Sequence, residues 1–173
     1  SPWGEASDGE VEDYRVEGQG RNPCDQTCAG TEFWLTFPGN YAPDPANPVL
    51  PRLCIVGDPG TQVTVSVPGL GFSQSVVIPG TMEVTVTLPA EVDLGDASDE
   101  IGDLGVHVLA EEPVGVHALS SVEKNTAAHT LSSDGYLALP VEALGTEHLV
   151  LAYENLHAAL PELNGTQFAL VAC

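Results

Sequence analysis

Along much of the chain apolar and polar residues alternate with a period of two, and Gly or Pro punctuates each run, which is the pattern of short β-strands. The clearest run is 61–67, where Val63, Val65 and Val67 face one way and Gln62, Thr64 and Ser66 the other. A Pro68-Gly69 turn follows, then a strand over 72–78, a Pro79-Gly80 turn, and a strand over 83–88 with Val84, Val86 and Leu88 on one face. Seven further runs, 31–37, 52–56, 105–110, 114–120, 136–139, 147–153 and 167–172, bring the expected total to ten. No segment reads as a long helix. The chain is therefore expected to be all-β, an antiparallel sandwich or jelly-roll-like fold with Pro/Gly turns. The single domain covers 31–173. Residues 42–51 read as a loop, because Pro43, Pro45, Pro48 and Pro51 lack the backbone donor that a ladder needs. Residues 1–30 form an N-terminal arm with little apolar material beyond Trp3, Val11, Tyr14 and Val16.

Composition narrows the function classes. The 173 residues carry 25 Asp plus Glu against 4 Lys plus Arg, a formal charge of −21. Arg15, Arg21, Arg52 and Lys124 are too few and too scattered to hold phosphate backbones, so nucleic acid is not expected as a partner, nor is an anionic membrane surface. A hydrophobic share of 43% argues for a folded chain in spite of the charge. No apolar run reaches the 18 or so residues that span a bilayer. The chain begins at Ser1 without Met, as a secreted chain does after signal-peptide cleavage, so an extracellular location is expected.

The acid is concentrated in two places. Residues 1–30 hold seven acids and two bases, and residues 91–112 hold eight acids and no base. Within the second stretch Asp93, Asp96, Asp99, Glu100 and Asp103 could supply the oxygen ligands that Ca²⁺ needs, the alternative being a solvated acidic loop. No cofactor is required by anything else in the sequence.

Four cysteines, Cys24, Cys28, Cys54 and Cys173, suggest two disulfides in a secreted chain. Three connectivities are open. The favoured one joins Cys24 to Cys28 and Cys54 to Cys173, and by the chain-entropy model the longer bridge contributes about 4 to 5 kcal/mol. Zinc is the competing use, although Cys24 and Cys28 lack a matching second pair. His107 and His117 fall in strands joined by Glu111-Glu112-Pro113, and a hairpin with Ala110 opposite Val114 would set the two rings side by side, Val106, Val108, Val114 and Val116 sharing the other face. Two half-exposed histidines without a role are the plainer reading. There is no Gly-x-Ser-x-Gly elbow, no His-Glu-x-x-His and no phosphate-cradling glycine loop, so no catalytic residue is assigned. Asn164-Gly165-Thr166 fits a glycosylation acceptor.

Several stretches, in order, resemble one family. They are 30–38 (Gly-Thr-Glu-Phe-Trp-Leu-Thr-Phe-Pro), 64–72 (Thr-Val-Ser-Val-Pro-Gly-Leu-Gly-Phe), Gly105-Val106-His107-Val108, 137–147 (Leu-Ala-Leu-Pro-Val-Glu-Ala-Leu-Gly-Thr-Glu) and 167–172 (Gln-Phe-Ala-Leu-Val-Ala). Together, over about residues 30–172, they resemble the amino-terminal domain of IgG Fc-binding protein as found in bacterial secreted and surface proteins. Residues 7–14 (Ser-Asp-Gly-Glu-Val-Glu-Asp-Tyr) look like the closing strand of a small β-domain of bacterial surface proteins. The resemblance implies a β-rich extracellular module in adhesive or matrix-forming proteins, with no catalytic residues to carry over. Family members continue into a further strand where this chain stops at Cys173, and an uncovered sheet edge would invite another chain. The arm around Val11, Asp13, Tyr14, Arg15 and Val16 of a neighbour is the expected donor, adding as a strand in a head-to-tail contact that can propagate as a filament. The expected function is non-enzymatic contact at a cell surface, with an extracellular protein, a glycan or other copies of the chain. A secreted hydrolase with an unrecognised site is the alternative.

Overall fold

Among the described residues seven strands join one curled antiparallel sheet, organised around a single long strand that both halves of the sheet share. The computed structural model describes residues 28–40, 48–95, 100–122, 132–145 and 168–171. The strands are β1 (Ala29–Leu35), β2 (Leu50–Val56), β3 (Gln62–Val67), β4 (Phe72–Val77), β5 (Glu83–Thr87), β6 (Val106–Val122) and β7 (Ser132–Ala138). The only helical pieces among the described residues are 3₁₀ turns, Pro68–Leu70, Ala90–Val92 and Val141–Ala143.

β6 carries the architecture. Leu109 pairs with Glu32 of β1 and Thr64 of β3, while Val116 pairs with Ile55 of β2 and Ala138 of β7. One edge of β6 therefore takes β3 and then β2, and the other takes β1 and then β7. β4 extends the first half beyond β3, and β5 extends the second beyond β2. Between the halves β6 turns a corner. Partner β1 passes from Gly30 opposite Val114 to Glu32 opposite Leu109, so several β6 residues are spare there. Glu111, Glu112 and Pro113 are exposed at this corner. Pro113 fits because neither β3, which ends its pairing at Ala110, nor β2, which begins at Gly115, asks it for a donor.

The expected hairpin between 105–110 and 114–120 is therefore replaced by one strand. His107 lies between Trp34 and Ser66, and His117 lies between Cys54 and Leu137. The proposed His107–His117 pair does not form, since ten residues of strand, roughly 30 Å if straight, separate the two. The alternating pattern was a true guide to faces: Val106, Val108, Val114 and Val116 are all fully buried. Even-numbered positions stay in phase through the corner, which is how a continuous strand behaves, but a hairpin of that loop length gives the same parity.

The core lies on the inner face of both halves. Phe33, Leu53, Ile55, Val63, Val65, Val67 and Val86 have no exposed surface, and one cluster includes them together with the β6 valines. Each such valine contributes about 1.5 kcal/mol or more by leaving water. Three expected strands hold closely, with β3, β4 and β5 found within a residue of the runs read from the sequence. Pro51, read as loop, lies inside β2. Its carbonyl accepts from Leu88 N–H at 3.0 Å, so its ring nitrogen faces the side where β5 has already ended its pairing at Thr87. Residues 168–171 carry no strand, the expected strand 147–153 lies outside the described residues, and of the expected arm only 28–30 are described, Ala29 and Gly30 opening β1.

Candidate functional site

The inner face of the described sheet is filled with aliphatic and phenylalanine side chains, and the outer face, the loops and the rims carry its titratable groups. On the outer face of the first half, β1 presents Glu32 and Trp34 because Phe33 and Leu35 point inward. β6 presents His107 between them. The imidazole stacks on the Trp34 ring with centroids 4.1 Å apart and planes 12° off parallel, and its Nε2 meets Glu32 Oε1 at 2.9 Å. Glu32 and Trp34 lie more than 70 positions from His107 in sequence, so only the β1–β6 register brings the three together.

On the outer face of the second half, Cys54 of β2 is the direct cross-strand neighbour of His117. The Cys54 thiol donates to Glu83 Oε1 at 3.3 Å. Partial burial, then the bond to Glu83 and its negative charge, push the thiol pKa up. Cys54 is thus held as the protonated thiol, the opposite of what a nucleophile needs. Cys28, exposed at the start of β1, and Cys54 are both free thiols. The favoured disulfides have their other members, Cys24 and Cys173, outside the described residues. Close to Cys28 an open, largely apolar depression of about 470 Å³ is lined by Val56, Met82, Pro113, His117 and Leu137. Met82 adopts φ 65°, closing the 79–82 turn through Met82 N–H to Pro79 O at 2.9 Å.

The acidic loop is divided between two anchors. Asp93 accepts from Asn40 N–H at 3.2 Å and from Gly95 N–H at 2.9 Å, one carboxylate oxygen for each. Its backbone also bridges Phe37, so this residue fastens the segment after β1 to the loop. Asp103 packs instead against Gly69 in the β3–β4 turn, where a Cβ on Gly69 would collide with the Asp103 backbone and carboxyl. Glu100 is exposed, and Asp96 and Asp99 lie outside the described residues. Among the described residues no three His, Cys, Asp or Glu side chains are grouped to hold a metal ion.

The rims of the sheet complete the inventory. Among the described residues β4 pairs with β3 alone and β5 with β2 alone, while β1 and β7 each pair only with β6, so the halves of the sheet end in β4 and β5 on one side and in β1 and β7 on the other. The rim formed by β1 and β7 is different. Gly30 of β1 packs against Pro140, next to the 3₁₀ turn Val141–Ala143, and the Tyr136 hydroxyl donates to Thr36 O. The sequence showed these strands but not which of them would be terminal, because strand order depends on pairings between segments tens of residues apart.

Compared with models of protein families, with curated proteins and with solved structures, the chain matches none. The fold and the rims define a β-rich protein with a curled antiparallel sheet. No helix among the described residues is long and apolar enough to cross a membrane.

Proposed function

We propose that this chain is a secreted, non-catalytic surface module of sandwich-like form that works by protein–protein contact, either as an adhesive domain or as a subunit of an extracellular filament. The observation that carries the reading is the two rims formed by β4 and β5, strands that among the described residues are each bonded on one side only. Such strands are templates for a further strand, with backbone hydrogen bonds providing affinity and alternate side chains fixing register. In the filament form of the reading, the arm of a neighbour, with Val11, Asp13, Tyr14, Arg15 and Val16, adds to an open rim. The family resemblance to adhesive and matrix-forming modules supports the same class. The hydrolase alternative draws no support from Cys54, whose thiol is held protonated beside Glu83. The acidic loop enters the reading through its charge, which keeps copies soluble and makes any contact between them sensitive to salt.

Electron microscopy of the full chain, together with binding to immobilised extracellular proteins and glycans, tests this reading. Ordered assemblies or saturable binding are expected. Particles that stay monomeric at high concentration, bind nothing and turn over a hydrolase substrate would contradict it.

A further inference from the structure

The β3–β4 hairpin differs from the rest of the chain in charge. From residue 59 to residue 82 there is no Asp, Glu, Lys or Arg, a run of 24 residues between Asp58 and Glu83, and no other uncharged run exceeds 11 residues. Copies of a chain with charge −21 repel one another, and this is the stretch that brings no charge to a contact. The fold places it at a rim. Edge strands that resist association carry a charge, a proline or a bulge. Residues 72–77 have none of these, and the register with β3 runs unshifted through six pairs.

Backbone direction follows from the end of the strand. Ile78 N–H donates to Thr61 O at 2.9 Å and Ile78 O accepts from Gly60 N–H at 2.8 Å, so this residue faces β3. By alternation Phe72, Gln74 and Val76 also direct their backbone groups to β3, and Ser73, Ser75 and Val77 direct theirs to the open side. On the core side Phe72 and Val76 are only partly buried, forming an uncovered lip of the core.

We propose that this rim is a self-association surface, on which β4 of one copy pairs antiparallel with β4 of a second copy about a two-fold axis at Ser75. The proposal rests on the reading of the chain as a contact module and names the partner and the edge. The register sets Ser75 beside its own counterpart, Ser73 beside Val77 of the second copy and Gln74 beside Val76 of the second copy, with about six backbone hydrogen bonds and no carboxylate in the ladder. Such a contact is isologous and closes as a dimer. The β5 rim is less suited to self-pairing because Glu83 opens it, and it stays free for a second contact of the kind a filament needs.

Sedimentation of the full chain between about 10 μM and about 1 mM, at low and high salt, tests the proposal. A monomer–dimer equilibrium is expected, tightening by about tenfold or more as salt screens the charge. Ser75→Pro removes an outward N–H without removing a β3–β4 ladder bond, and Ser75→Asp sets two carboxylates face to face. Each is expected to weaken the dimer by about tenfold or more while the melting temperature of the monomer changes little, the exposed Thr64–Ser75 hydroxyl contact being a minor loss. A monomer under every condition, or a dimer that both variants retain, overturns the proposal. Displacement of the dimer by a synthetic peptide of residues 9–18 also overturns it and assigns the rim to the arm. In that last case the broader contact reading stands, whereas a monomer that binds neither peptide nor surface removes its self-assembly form as well.

Discussion

Tyr136 shows how one side chain ties two elements together. Its hydroxyl donates to the carbonyl of Thr36, just past β1, and burial pushes its pKa from 10 up to about 12, the backbone bond acting in the opposite sense. The folded state therefore holds the phenol proton more tightly than the unfolded chain. Below about pH 10 both states keep the proton and the tyrosine adds no pH dependence. Between 10 and 12 the unfolded chain ionises first, so stability falls as pH rises through that window and levels off above it. Urea midpoints measured from about pH 9 to about pH 12 are expected to fall more steeply for the native chain than for Tyr136→Phe. Equal slopes would show that the hydroxyl is not held as described. At this scale the sequence was informative about faces and silent about partners. Val63, Val65 and Val67 were readable as inward because parity is local, whereas Glu32, Trp34 and His107 meet only through a register set by segments far apart.

Among the elements, β6 decides the fold, and it is where local composition and long-range pairing point to different structures. Glu111-Glu112-Pro113 has the composition of a turn, and turn chemistry is ordinarily a sound guide. Here the same three residues form a corner, because β3 and β2 pair with the same edge of β6 on either side of them. Both possibilities leave Val106, Val108, Val114 and Val116 on one face, so the hydrophobic pattern could not separate them. Pairing partners could, and those are long-range. Beside the corner, where Gly30 pairs with Val114, β1 also comes close to the segment after β7. A Cβ on Gly30 would overlap the Pro140 ring, a rigid neighbour that cannot swing aside. Gly30→Ala is expected to lower stability by about 1 to 3 kcal/mol through overpacking, seen as a lower urea midpoint with an unchanged slope. Gly102→Ala, where a Cβ would meet nothing within 4 Å, is the matched control and is expected to be near neutral.

For the whole molecule, charge and strand order act together. A chain of −21 would ordinarily hold its copies apart, and acidic residues lie in or beside most of the described strands. The exception is the uncharged hairpin of β3 and β4, which the topology places at the end of one half of the sheet. Composition revealed the charge and periodicity revealed the hairpin, but neither indicated that β4 would be terminal. The candidate sites first drawn from sequence fare differently at this scale: the histidines are separated along β6, Asp93 is occupied with backbone N–H groups, and Cys54 is held as a thiol. The proposed contact function accordingly rests on the backbone at the rims of the sheet.

That account is tested most directly by amide hydrogen exchange of the full chain, concentrated and dilute, read across 72–77 and 83–87. It predicts that Ser73, Ser75 and Val77 exchange slowly in the concentrated sample and rapidly on dilution, while Gln74 and Val76, bonded to β3, stay protected in both. Identical exchange of Ser73, Ser75 and Val77 at the two concentrations, with the chain assembled in the concentrated one, would show that contact is made elsewhere than at the rim.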